Sequence, residues 1–121
     1  MTELQIIDQT STCYLYLCGR VAAMPRLWRY GMGQDLLRQM NRLLEELLRA
    51  KFATPVNREV HLVEANILLD ILRFQIRHLT ELKALALNSQ EHTLKLLLPI
   101  GEQLGGWLRH SRTRANHSTR A

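Results

Sequence analysis

Cysteine is nearly absent from this chain: Cys13 and Cys18 are the only two among 121 residues. That rules out a fold stapled by several disulfides. They lie five apart in a segment that reads as helix and so point to different faces, where a bridge would need distorted geometry. Two reduced packing thiols in a reducing, cytoplasmic compartment are the reading that follows. Long apolar runs are missing too, and none approaches the roughly 20 residues needed to span a bilayer. The opening Met1-Thr2-Glu3-Leu4 has an acid and no basic stretch, so it does not read as a secretory signal. With six glycines and three prolines, punctuation is sparse, and nowhere does an alternating apolar–polar strand lie between hairpin turns.

Catalytic spacings are equally scarce. His61, His78, His92, His110 and His117 are scattered, and none stands in HExxH or ExxH order. A di-iron bundle needs a Glu-x-x-His pair on each of two helices. His61-x-x-Glu64 and His78-x-x-Glu81 run the other way, and read as acid–base pairs on a solvated face. Gly31-x-Gly33 has neither a preceding strand nor a third glycine, so it makes a poor phosphate loop. The chain is expected to bind rather than catalyse, with no cofactor and no metal.

What is present is helix. Hydrophobic residues make up 46% of the sequence, and a chain of this length forms one domain that buries roughly two-thirds of its unfolded surface. Tyr14, Leu17, Cys18 and Val21 form the stripe of a first helix that Pro25 stops. Leu36, Leu37, Met40, Leu43, Leu44, Leu47 and Leu48 give a second helix a wide apolar face, ending near Ala53. Asn57 is the expected N-cap of a third helix, where Leu62, Ala65, Leu69, Leu72, Ile76 and Leu79 sustain a 3-4-3-4-3 seam. Ser89 caps a fourth, with Leu94, Leu97, Leu98, Leu104 and Leu108 along it. Pro99 falls inside that helix and predicts a kink or a broken first half. The expected architecture is all-α, an antiparallel up-down four-helix bundle over residues 1–110. A basic tail, residues 111–121, is expected to be disordered when unbound.

Charge is unevenly placed. Sixteen Lys and Arg oppose eleven Asp and Glu, a net +5, and thirteen of the sixteen are arginine, whose planar fork suits phosphate. Arg20, Arg26, Arg29, Arg38 and Arg42 face Asp35 alone across residues 20–42. Arg109, Arg112, Arg114 and Arg120 meet no acid across 109–121. An anionic partner, by default nucleic acid, fits this polarity; a solvated basic surface without a partner is the bland alternative. Asn66, Asp70, Arg73 and Arg77 line one face of the third helix. They form either a polar network within or between subunits or a phosphate-contacting ridge, and at least one of Arg73 and Arg77 should be partly buried and ion-paired. Gly101 and Gly105 share a face that permits close approach of another backbone, within the chain or between chains, and Trp107 beside them is a packing or interface anchor. Trp28, between Arg26 and Arg29, could stack on a base or staple helices together.

In their order and spacing, three segments resemble the accessory variability determinant (Avd) proteins of diversity-generating retroelements, a group related to four-helix proteins encoded in intervening sequences of ribosomal RNA genes. They are Met24-Pro25-Arg26 with Arg29-Tyr30-Gly31-Met32-Gly33, then Ala65-Asn66-Ile67-Leu68-Leu69-Asp70-Ile71-Leu72-Arg73 with Arg77, then Ile100-Gly101-Glu102-Gln103-Leu104-Gly105-Gly106-Trp107-Leu108. Together they cover about residues 12–110. The resemblance implies a pentamer of bundles forming a basic barrel. That barrel would bind the element's reverse transcriptase and template RNA, and possibly DNA, to support mutagenic complementary-DNA synthesis and retrohoming, with no catalytic residues of its own. Arg26, Arg29, Asn66, Arg73 and Arg77 match positions in the family's pattern, whereas Pro99 departs from it. Arg20, Arg26, Arg29, Arg38, Arg42, Arg77, Arg109, Arg112 and Arg114 are the candidate contacts to nucleic acid or polymerase. Asn66, Asp70, Arg73, Gly101, Gly105 and Trp107 are assigned to structure or assembly. The alternative is a stand-alone four-helix interaction protein of the ribosomal-gene type, without a polymerase partner.

Overall fold

The computed structural model describes residues 3–120, and side chains for Glu3 and residues 5–114. Four long helices carry the fold: α1 (Glu3–Ala22), α3 (Met32–Phe52), α4 (Pro55–Glu81) and α5 (Leu87–Arg120). A one-turn helix, α2 (Arg26–Arg29), bridges the first two. No strand occurs among the described residues.

The helices meet where their apolar stripes predict. The whole expected seam of α4, from Leu62 to Leu79, is buried, as are Leu36, Met40, Leu43 and Leu47 of α3 and Leu17 and Val21 of α1. Each such side chain withdrawn from water stabilises the fold by roughly 1.5–3 kcal/mol. Along α3 and α4, Arg42 meets Glu64, Glu46 meets His61 and the Ala50 carbonyl meets Arg58, so rising positions on one helix face falling positions on the next. The same descending order relates α4 to α5, through Glu59 with Arg112 and Arg73 with Gly101. It relates α1 to α5 through Gln9 with Gln103 and Tyr16 with His92.

Several boundaries differ from the sequence reading. Helix α4 starts at Pro55, with Thr54 as its N-cap residue. Proline suits the first helical position, where its missing N–H is no loss, and Asn57 sits inside the first turn, donating from its side chain to the Thr54 hydroxyl. Ser89 does not cap α5, which begins at Leu87; Ser89 is buried in the first turn, and its carbonyl accepts from Thr93. Helix α5 runs unbroken through Pro99 and on to Arg120, well past the expected end near residue 110. No glycine or proline follows Gly106 to stop it. Ser111 is buried, Thr113 donates back to the Arg109 carbonyl, and Arg112 anchors to Glu59 of α4. Of the leucines read along this helix, Leu97, Leu104 and Leu108 are buried and Leu98 is exposed.

Two connections are tightly made. Helix α4 ends with the Ala84 N–H on the Leu79 carbonyl at 2.9 Å and the Lys83 N–H on the Thr80 carbonyl at 3.0 Å. These are the paired bonds of a Schellman turn, and Lys83 takes its left-handed position at φ 61°. At the other end of the α3–α4 hairpin, Arg58 donates to the Ala50 carbonyl at 2.7 Å and the Ala53 carbonyl at 2.9 Å, satisfying acceptors that the end of α3 leaves open.

Helix α4 carries a second apolar stripe. Val56, Val60, Ile67, Ile71 and Phe74 are all exposed, and their spacing places them on one outward arc about 27 Å long.

Candidate functional site

The arginine positions divide according to what already holds them. Arg38 is ion-paired with Asp35 one turn away, Arg42 lies 3.5 Å from Glu64, and Arg112 donates to Glu59 at 2.7 Å. Arg29 gives two N–H groups to the Met24 carbonyl, at 3.2 and 3.0 Å, and so ties α2 to the end of α1. Arg20, Arg26, Arg77, Arg109 and Arg114 are exposed and pair with no carboxylate among the described residues. Arg20 lies over the Tyr16 ring, 5.7 Å from its centre. The positive field is therefore carried by arginines at the end of α1, on α2, late on α4 and on the last third of α5.

The residues assigned to structure sort differently. Asn66 and Asp70 are exposed, and Asp70 accepts from Arg73 Nη1 at 2.9 Å. Arg73 is the half-buried, ion-paired arginine anticipated from the sequence, its side chain 30% exposed, while Arg77 is exposed. Gly101 admits a side chain rather than a second backbone: a Cβ on it would fall 2.7 Å from Arg73 Nη2. At Gly105 and Gly106 a Cβ would meet only the Arg109 guanidinium of the same helix, at an ordinary contact distance of 3.6 and 3.8 Å. Trp107 is buried in the core, and Trp28 is half-buried against it.

Histidine chemistry is also placed differently from the sequence reading. His61 does not face Glu64; its Nδ1 lies 2.8 Å from Glu46 Oε2 on α3, while Glu64 is occupied by Arg42. Among the described residues no group of three His, Cys, Asp or Glu side chains is arranged to hold a metal ion. Cys13 is buried, and burial pushes its thiol up to about 12. Both cysteines are free. Among the described residues no helix is long and apolar enough to cross a membrane.

Sequence reasoning passed over Arg58, which joins two helices and also lines a groove of about 420 Å³ with Ile6, Gln103, Trp107, His110 and Arg114. Its place three residues after Pro55, within reach of the last turn of α3, was the available signal. It gave no role to Leu27 of α2 or to Tyr30, the residue that caps it, both exposed. No curated protein matches the chain. The bAvd-like family profile matches residues 5–111, through every helix of the bundle and all three segments that carried the resemblance. The chain belongs to the bAvd-like family.

Proposed function

We propose that this chain is a non-catalytic accessory subunit of a diversity-generating retroelement. In this reading it binds the element's reverse transcriptase and template RNA in the cytoplasm, and supports mutagenic complementary-DNA synthesis and retrohoming. Family membership over residues 5–111 is the observation that carries the proposal. The arginines left without carboxylate partners supply what a phosphate backbone needs, a set of exposed cations with free N–H groups. The descending contacts between neighbouring helices support an antiparallel up-down bundle. The exposed stripe on α4 supports self-association, in this reading as a pentamer, because so long an apolar arc on a free surface marks an interface.

The test combines mass, binding and salt. Light scattering is expected to give a multiple of 14.1 kDa, five-fold for the pentamer. RNA affinity is expected to fall with a log–log salt slope of roughly −0.7 to −0.9 per phosphate contacted. The Arg109/Arg112/Arg114→Ala variant should melt within about 1 kcal/mol of the parent, since its one lost ion pair is exposed, yet bind RNA or polymerase more weakly. A protein of 14 kDa in solution whose RNA affinity ignores salt, from a gene with no reverse-transcriptase neighbour, would overturn the proposal.

A further inference from the structure

Helix α2 is a fixed knob, and its outer side is apolar and aromatic within a field of arginine. Trp28 turns toward the core, while Leu27 and Tyr30 are 76% and 68% exposed. Hydrogen bonds hold the knob at several points. The backbone N–H groups of Trp28 and Arg29 donate to the Pro25 carbonyl at 2.9 and 3.1 Å, and the Arg29 side chain clamps the Met24 carbonyl. Gly33 seals it against the bundle, since a Cβ there would lie 2.9 Å from Val21 Cγ1 and 3.2 Å from the Trp28 carbonyl. The Arg29 guanidinium lies 5.8 Å from the centre of the Tyr30 ring and braces it by a cation–π contact. Gly31, the next residue, has open space where a Cβ would stand, so no side chain elsewhere in the fold crowds this turn. Arg20, Arg26 and Arg29 pair with no carboxylate among the described residues, and the nearby Asp35 is taken by Arg38.

We propose that Tyr30 is a stacking platform for an unpaired base of single-stranded nucleic acid, with Arg26 receiving a flanking phosphate. The inference rests on the nucleic-acid binding proposed above and gives it a location. A rigid, exposed aromatic ring beside arginines without carboxylate partners matches what a single strand offers: every base has a π face, and every base is followed by a phosphate. Leu27 extends the apolar surface toward the neighbouring sugar or base. A duplex hides its bases, so it would meet only the arginines.

The experiment compares the full chain with Tyr30→Phe, Tyr30→Ala and Arg26→Ala. The probes are a short unstructured oligoribonucleotide, its DNA counterpart and a blunt RNA duplex, each titrated at the same series of salt concentrations. Tyr30→Ala should weaken both single strands by roughly 5- to 100-fold, leave duplex affinity within about two-fold and melt like the parent, because its side chain is exposed. Tyr30→Phe should bind like the parent. Arg26→Ala should weaken all three probes alike and flatten the salt dependence. A base-analogue fluorophore in the single strand should be quenched by the parent and not by Tyr30→Ala. If the parent binds single strands with salt dependence and Tyr30→Ala binds equally well, this inference fails while the proposed function stands. If Tyr30→Ala keeps its single-strand affinity but no longer retains the reverse transcriptase in a parallel co-purification, the knob is a protein-docking site and the inference is overturned. If the parent binds no nucleic acid, both readings fall.

Discussion

Three glycines occupy three different environments, and adding one methyl group at each should move stability in different directions. At Gly33 the new Cβ would stand 2.9 Å from Val21 Cγ1, 3.2 Å from Met24 Sδ and 3.2 Å from the Trp28 carbonyl oxygen. Valine has little rotamer freedom, and the carbonyl belongs to a clamped backbone, so α3 must shift from α1 and α2. Overpacking of this kind costs about 1–3 kcal/mol, against a helix-propensity gain of at most about 1 kcal/mol. Gly33→Ala is therefore expected to lose ~1–2 kcal/mol. With an unfolding entropy near 2.1 cal/mol/K per residue, that lowers the melting temperature by roughly 4–8 °C. Gly19 on α1 has open space where a Cβ would be, so Gly19→Ala should gain about 0.5–1 kcal/mol and melt roughly 2–4 °C higher. At Gly101 the 2.7 Å contact is with the tip of Arg73, which can swing aside, and Leu69 Cδ2 at 3.3 Å needs to yield only slightly. The propensity gain then roughly cancels the lost Arg73–Asp70 pair, worth about 0–1 kcal/mol with Asp70 62% exposed. Gly101→Ala should fall within ~0.5 kcal/mol of the parent. Thermal melts of the three variants under matched conditions decide the order. A Gly33→Ala protein that melts at or above the parent would refute the reasoning.

Lys83 holds the left-handed position of the Schellman turn, a place glycine occupies without a Cβ penalty, so Lys83→Gly should stabilise the fold by about 0.5–1 kcal/mol. A urea midpoint that falls instead would show that the lysine side chain contributes there. The Cys13 thiol, pushed up to about 12 from an ordinary 9.0 by burial, should resist alkylation in the folded protein at pH 8, while the half-buried Cys18 reacts; peptide mass mapping reads both. Because the raised value belongs to the folded state, the stability tied to this thiol is fully present below pH 9 and is lost as the pH rises toward 12. Flat stability from pH 8 to 11 would contradict that assignment.

The helices and most of the core were legible because they rest on periodicity, a property of residue spacing alone. The α4 seam from Leu62 to Leu79 is buried throughout, with no knowledge of its neighbours required. Boundaries were less legible, since a cap depends on competition between adjacent candidates. Thr54-Pro55 prevails over Asn57 because Pro55 can occupy the first helical position without sacrificing a hydrogen bond. The end of α5 was misread because polar composition was taken as a stop, whereas Arg112 finds Glu59, a residue 53 positions earlier. The same kind of distance hid the site. Asp35 one turn from Arg38 was readable from spacing, but Arg42 looks the same as Arg26 and Arg77 until the fold brings Glu64 beside it. The exposed Tyr30 was quoted within a motif, but its exposure follows from Trp28 turning inward, which only the packing of α2 fixes.

Arg73 carries a consequence for the entropy of any contact it makes. A free arginine side chain retains about 2 kcal/mol of rotamer freedom, which a contact with a ligand must ordinarily remove. Here Nη1 is bound to Asp70 and Nη2 lies over Gly101, so part of that freedom is already surrendered when the bundle folds. A contact made by its remaining N–H groups loses less disorder than one made by the exposed Arg114. The missing side chain of a glycine on one helix thereby sets the pointing accuracy of a cation on another.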